Sequence, residues 1–352
     1  MTQNSARSSP VSLEQVPASG IENPLEFLEE AMSGLRCYQA FVTAYERGLF
    51  EACREPATLE KIVSDTRCIP AIAGPLCEGL VRTGLLVKNA AGSYQVTPCI
   101  SDFFLRDSPF SQAAALAQMQ QYASLSLHLS DILTHGPVLY PRGEQFRQVI
   151  IPAMAEAGRC GLVQRVAEKV SCLPEFRHAR RLLDLGGGHG LYAIAFSQKN
   201  PDLTAVIFDL PEVTSATREY IRKYKAHDRV TTHEGDFFQD PLGTGYDIIF
   251  SSSNPSGKMP ALIQKIRAAL NPGGLYINKQ VIDEPEADPF LDLEWSLWAF
   301  EGMPKQGRRF RFEGSASLDE YNRILAESGF FVRECIPVDQ RSVMTIAKKS
   351  IE

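Results

Sequence analysis

The segment Asp184-Leu185-Gly186-Gly187-Gly188-His189-Gly190 follows an apolar run and opens a helical pattern, so a strand enters a helix through a glycine turn. Glycine at 186, 188 and 190 lets the backbone adopt positive φ and approach a ligand that a Cβ would repel. The spacing is G-x-G-x-G. A dinucleotide fingerprint would set its third glycine at position 191, where the chain has Leu191. Nineteen residues after Gly190, the run Ala205-Val206-Ile207-Phe208 ends in Asp209, a carboxylate placed for ribose hydroxyls. A third strand from Arg229-Val230 closes on Glu234-Gly235-Asp236-Phe237-Phe238, offering an acid and a ring to an adenine amino group and face. Singly these are a tight turn, a helix cap and a loop acid. In this order they point to S-adenosylmethionine rather than a nicotinamide cofactor.

Such a site needs a sheet. From Arg181 onward, strands are expected near 181–185, 204–209, 229–234, 246–252 and 274–280, with helices between them. That alternation predicts an α/β, Rossmann-like parallel sheet covered on both faces, with the ligand at the carboxyl ends of the strands. A helix at Ser317–Ser328 and two closing strands, at 329–332 and 343–347, bring the strand count to seven. Upstream, apolar spacing over Leu25–Gly48, a Thr58-capped helix, a helix at Pro75–Gly84 and a hairpin around Ala90–Ser93 form a winged-helix-like pattern. Its candidate recognition helix carries Arg82 against Glu78, poor equipment for a phosphate backbone. The expected organisation is a disordered leader over 1–22, a winged-helix-like domain over 23–108, a helical bridge over 109–175 and the cofactor domain over 176–352.

Composition narrows the partner. At 352 residues, 44% of them apolar, the chain can fill two cores, and its net charge of −6 disfavours nucleic acid. Eight cysteines without C-x-x-C spacing read as buried thiols of a reducing compartment. Neither a leader with an apolar core nor a run near the ~20 residues that span a bilayer is present, so a cytoplasmic protein is expected. Asp283-Glu284, Glu286 and Asp288 read as a solvated acidic loop, and no metal site is expected.

The order LLDLGGGHG, VIFDLPEV, EGDFF, ALNPGG, LAESGF resembles the caffeate- and acetylserotonin-type small-molecule O-methyltransferases over most of the chain. The resemblance implies cofactor contacts at Asp184, Gly186, Gly188, Asp209, Leu210, Asp236, Phe237 and Ser252. It also implies a homodimer built on the N-terminal domain. One segment departs from the family pattern, where the strand at Asp247–Phe250 leads into Leu-His-Asp-Trp with the His as general base. Here Ser256 stands at the His position, Ser252 replaces a family Lys, and no histidine follows His233.

A positioned base contributes roughly 10²–10⁴-fold to attack by a hydroxyl, whereas a thioether has no proton to lose. The leading expectation is therefore S-methylation of a methylthio acid such as 4-methylthio-2-hydroxybutyrate. It is the reaction of similar enzymes of dimethylsulfoniopropionate synthesis. Acceptor contacts are expected from Tyr122, Tyr140, Arg142, Arg147, Met154 and Trp298, with Arg159 a further cation in the bridge. The rival readings are O-methylation with a base recruited from His128, His135, Asp283, Glu284 or Glu294, and a non-catalytic cofactor-binding dimer. His189, inside the turn, reads as a cofactor contact or helix cap, and Arg308, Arg309 and Arg311 as a solvated loop.

Overall fold

The computed structural model describes residues 19, 23–283, 288–302, 305 and 312–351. The expected leader, Ser19 aside, and Glu284, Glu286, Arg308, Arg309 and Arg311 lie outside the described residues. Two compact units divide the chain, Met1–Pro109 and Phe110–Glu352.

The first unit packs helices Glu26–Glu46, Leu59–Thr66 and Pro70–Arg82 with an antiparallel hairpin of β1 (Leu86–Lys88) and β2 (Tyr94–Val96). Thr58 caps its helix by accepting the Lys61 amide at 3.4 Å. The third helix starts five residues before Pro75, because Pro70 takes the first helical position, where a missing N–H costs nothing. Leu49, Phe50 and Ile62 fill the core with no exposed surface.

The second unit carries β3 (Val138–Tyr140), β4 (Arg181–Leu185), β5 (Thr204–Asp209), β6 (Val230–Glu234), β7 (Tyr246–Ser252), β8 (Leu270–Val281), β9 (Trp298–Phe300), β10 (Phe330–Pro337) and β11 (Ser342–Lys349). Seven of these form one sheet in the order β10-β11-β8-β7-β4-β5-β6. The five strands β4 to β8 are mutually parallel, and β11 and β10 run antiparallel. The parallel arrangement expected of the five alternating strands is present, and the two closing strands, whose direction the sequence left open, run against it. Asp339 accepts the Arg341 amide at 2.8 Å in a turn too short for the crossover that parallel neighbours require. Strand order reverses between β4 and β7, so the glycine turn sits at the switch point where ligands of such sheets bind. Leu182, Ile207, Phe250 and Ile277 pack on one face with helix Leu191–Lys199. Leu183, Leu185, Ile249 and Tyr276 pack on the other, with helices Ile263–Ala269 and Leu318–Glu327.

The bridge is not wholly helical. Gly136, at φ +94°, and Pro137 end helix Leu129–His135, and the released chain forms β3, parallel to β9 with Val138 opposite Trp298 and Tyr140 opposite Phe300. Beyond it, π-helical turns at Phe146–Ile150 and Gly158–Leu162 interrupt the helical run.

Gly190 carries the helix start at φ +71°, and a methyl there would lie 2.6 Å from Ile207 Cδ1 and 3.0 Å from Thr217 Cγ2. Gly190→Ala should cost about 2–4 kcal/mol, adding overpacking to left-handed strain. Gly92→Ala, at φ +82° with open space around it, should cost only about 1–2 kcal/mol. Urea unfolding of both variants checks the difference, and equal losses would refute the packing component.

Candidate active site

Gly186, Gly188 and Gly190 have φ of 64°, 54° and 71°. A methyl on Gly186 would sit 2.8 Å from Asn254 Nδ2 and 3.3 Å from the Phe237 ring. Asn254 donates to the Leu185 carbonyl at 2.7 Å, bracing the turn from the loop after β7. Asp209, ending β5, accepts the Gly188 amide at 2.8 Å on Oδ2 and the Leu210 amide at 2.8 Å on Oδ1. Burial pushes its pKa up to about 6, while the two amides and Arg142 pull it back. Each oxygen keeps a lone pair for a ribose hydroxyl.

Asp184 is 1% exposed, and neither carboxylate oxygen has a hydrogen-bond partner. Burial pushes its pKa up to about 7, the Ala193 backbone N–H opposes this, and the charge of Asp209 adds to it. Asp236 Oδ1 accepts the Phe238 amide at 2.9 Å, and the Phe237 and Phe238 rings stand 4.8 Å apart, with Phe238 on the surface. Leu210 leads into helix Pro211–Lys223 and packs with Ile151 and Val213. Ser252 lies beside the Tyr192 phenol, which burial raises to about 12 and Ser252 pulls back. An orphaned buried carboxylate, lone pairs free for hydroxyls and a left-handed glycine cradle fit S-adenosylmethionine.

The expected base position holds no base. Ser256 has no exposed surface; its Oγ lies 2.9 Å from Ser251 Oγ and donates to Asn254 Oδ1. Asn278 donates to the Gly257 carbonyl at 2.7 Å, and a methyl on Gly257 would fall 1.9 Å from Gln280 Nε2. The loop is thus locked on β8 by buried amides. Asp283 is not the solvated acid the sequence suggests: it pairs with the buried Lys258 at 2.8 Å and accepts the Leu318 amide at 2.6 Å. His189 is buried and neutral, its pKa pushed down to about 4 by burial, and Nδ1 accepts the Leu191 amide at 3.1 Å as a helix cap. His128 and His135 are exposed, and His135 engages the Asp131 carbonyl.

The expected acceptor residues divide. Tyr122 stacks on Trp298 at 5.5 Å, and Tyr140, Trp295 and Phe300 contact the same indole edge-on. The charge of Arg142 is near enough to Asp209 to pull its pKa down, and its buried Nε lacks a partner. Arg147 and Met154 are exposed. Two lysines escaped the sequence reading. Lys305 Nζ stands 3.0 Å over the Trp298 ring and 3.8 Å over Trp295, and donates to both tryptophan carbonyls at 2.8 Å. Burial pushes its pKa down to about 7, and these contacts suit an ammonium. Lys279, 3% exposed on β8, donates to Ser253 Oγ at 3.1 Å and pairs in register with Ser252. A lone lysine outside any motif gives no signal in sequence.

Among the described residues, no group of three or more His, Cys, Asp or Glu could hold a metal ion, and no helix is long and apolar enough to cross a membrane. Residues 139–330 match the model of the O-methyltransferase domain family. An uncharacterized protein of Methanocaldococcus jannaschii is 32% identical, over 92% of this chain and 89% of its own length. The N,N-dimethyltransferase OxyT of Streptomyces rimosus is 25% identical, over 86% of this chain and 89% of its own. Human N-acetylserotonin methyltransferase, solved in complex with S-adenosylmethionine, superposes with a TM-score of 0.69 at 21% identity, over 95% of this chain and 100% of that one.

In the folded protein Asp184 keeps its proton to about pH 7, whereas the unfolded carboxyl ionises near 3.8. Between those values the folded state holds a proton that the unfolded state has lost, so wild-type stability falls as pH rises. Asp184→Asn should gain melting temperature relative to wild type from pH 4 to 7 and hold that gain above. A constant difference across the range would show that Asp184 is not desolvated.

Proposed function

The chain belongs to the O-methyltransferase domain family and is an S-adenosylmethionine-dependent small-molecule methyltransferase; on that premise we propose that its acceptor atom needs no protein base, and that this atom is the thioether sulfur of a methylthio acid. The observation that carries the reading is Ser256, fully buried and hydrogen-bonded where the family places its histidine.

When bound, the cofactor supplies an electrophilic methyl group on a sulfonium. Asp209 offers acceptors to ribose hydroxyls, Phe237 with Asp236 an edge and face to adenine, and Asp184 a buried carboxylate to an ammonium. The aromatic group of Tyr122, Tyr140, Trp295 and Trp298 excludes water and suits a polarisable sulfur. Lys305 adds a cation beside that wall, which favours an anionic acceptor over a cationic one. Positioning and desolvation then carry the rate without proton abstraction.

A second reading is transfer to a neutral amine nitrogen. It shares independence from a base, and OxyT, named as an N,N-dimethyltransferase, favours it. The winged-helix-like N-terminal domain is read as the dimerisation element, because Leu25, Phe27, Leu28, Met32 and Leu35 of the first helix region stand exposed.

Release of S-adenosylhomocysteine by purified protein should occur with 4-methylthio-2-hydroxybutyrate or 3-methylthiopropionate and not with catechols or hydroxyindoles. Its kcat should change little between pH 6 and 8, while KM rises above pH 7 as Lys305 loses its charge. Turnover confined to phenols would sink the proposal, and turnover confined to amines would transfer it to nitrogen.

A further inference from the structure

Trp295 and Trp298, the two tryptophans of the chain, form a corner that already holds a cation. Their ring planes meet at 73° with centroids 5.4 Å apart, and the Lys305 ammonium sits 3.8 Å from the Trp295 centroid and 3.0 Å from that of Trp298. Both indoles are buried, with Tyr122 stacked on Trp298 and Phe312 edge-on to Trp295. A backbone bridge to Phe312 fixes Lys305 in turn.

The corner offers negative potential without an anion. Aromatic faces carry the negative end of a quadrupole, and the Trp295 and Trp298 carbonyls each add an oxygen 2.8 Å from the ammonium. Among the described residues, no carboxylate acts on the Lys305 charge. Such a setting favours a cation that is cheaply desolvated. A methylated onium ion is the strongest case, because its charge is spread over methyl groups and it has no N–H bonds to satisfy. Methyl transfer to a thioether leaves the donor sulfur neutral and makes the acceptor sulfur such an ion, whereas transfer to a phenol leaves no cation on the product.

We propose that the corner of Trp295 and Trp298 is a binding site for methylated onium ions and that Lys305 is its resident competitor, keeping such ions, the methylated product among them, out of the pocket. One ammonium fills the corner by volume and by charge, so a second cation is repelled from it. A sulfonium product is therefore released rather than retained. The site rests on the geometry of the corner, and the identity of the product as a sulfonium rests on the thioether reading.

Both tryptophans of the chain line the corner, so intrinsic fluorescence reads its occupancy directly. At pH 6, where Lys305 is charged, trimethylsulfonium is titrated alongside tert-butanol, a neutral molecule of similar size. Lys305→Ala and Lys305→Ser, which empty the corner, should bind trimethylsulfonium about 5- to 30-fold more tightly than wild type, with no matching gain for tert-butanol. Lys305→Met, which removes the charge but fills the space, should gain less than either. Melting temperatures establish that the variants fold. With 3-methylthiopropionate as acceptor, its dimethylsulfonium product should inhibit Lys305→Ala more strongly than wild type. Equal trimethylsulfonium binding by wild type and the two small variants, or an equal gain for tert-butanol, would overturn the site whatever the acceptor. Absence of thioether turnover with the trimethylsulfonium gain intact would support the site and overturn only its role towards the product.

Discussion

Two backbone amides on one carboxylate hold the site together. Asp209 receives the Gly188 amide and the Leu210 amide at 2.8 Å each, tying the glycine turn after β4 to the start of the helix after β5. Without that bond a run of left-handed glycines has little to fix it, since glycine loses more freedom on ordering than any other residue. Asn254 braces the same turn from the other side, and Ile151 covers it, its Cδ1 3.0 Å from where a Gly188 methyl would be. The cradle is rigid because three different elements converge on it.

The loop after β7 carries Ser256 at the position where the sequence resemblance leads one to expect a histidine. Ser251, Asn254 and Ser256 bond among themselves, and Asn278 and Gln280 reach across from β8, so a buried polar network fills the position. Its groups are satisfied by one another, which makes it rigid. The rings around Trp298 pack as one cluster, and Lys305 fixes it by holding the Trp295 and Trp298 carbonyls at once.

Much of this was legible in the chain. The strands β4 to β7 lie within a residue of where the sequence places them, because β4, β5 and β7 are largely buried apolar runs between turn residues and β6, an exposed edge strand, is bounded by Gly235. The glycine spacing, Asp209 and the Asp236-Phe237 pair could be located because they sit at strand ends, which the pattern marks. Tyr122 and Tyr140, far from Trp298 in sequence, both meet its indole, a contact between rings that the sequence did not show. The direction of the last two strands was not foreseen, because local pattern carries no sign for it and the turn at Asp339 decides it. Nor was β3, a three-residue strand that exists only because β9 lies beside it.

Sequence by itself determined the five parallel strands, the cofactor class and the absence of any histidine after residue 233, because periodicity, a strand-end motif and composition are properties of order along the chain. Tertiary structure alone decided that Ser256 is buried, that Asp283 pairs with Lys258, that the Lys279 ammonium meets Ser253 and that the Lys305 ammonium meets Trp295 and Trp298. The reason is physical. A lysine's role depends on which carbonyls, rings and charges surround its ammonium, and those neighbours come from strands and helices that only the packed core brings together.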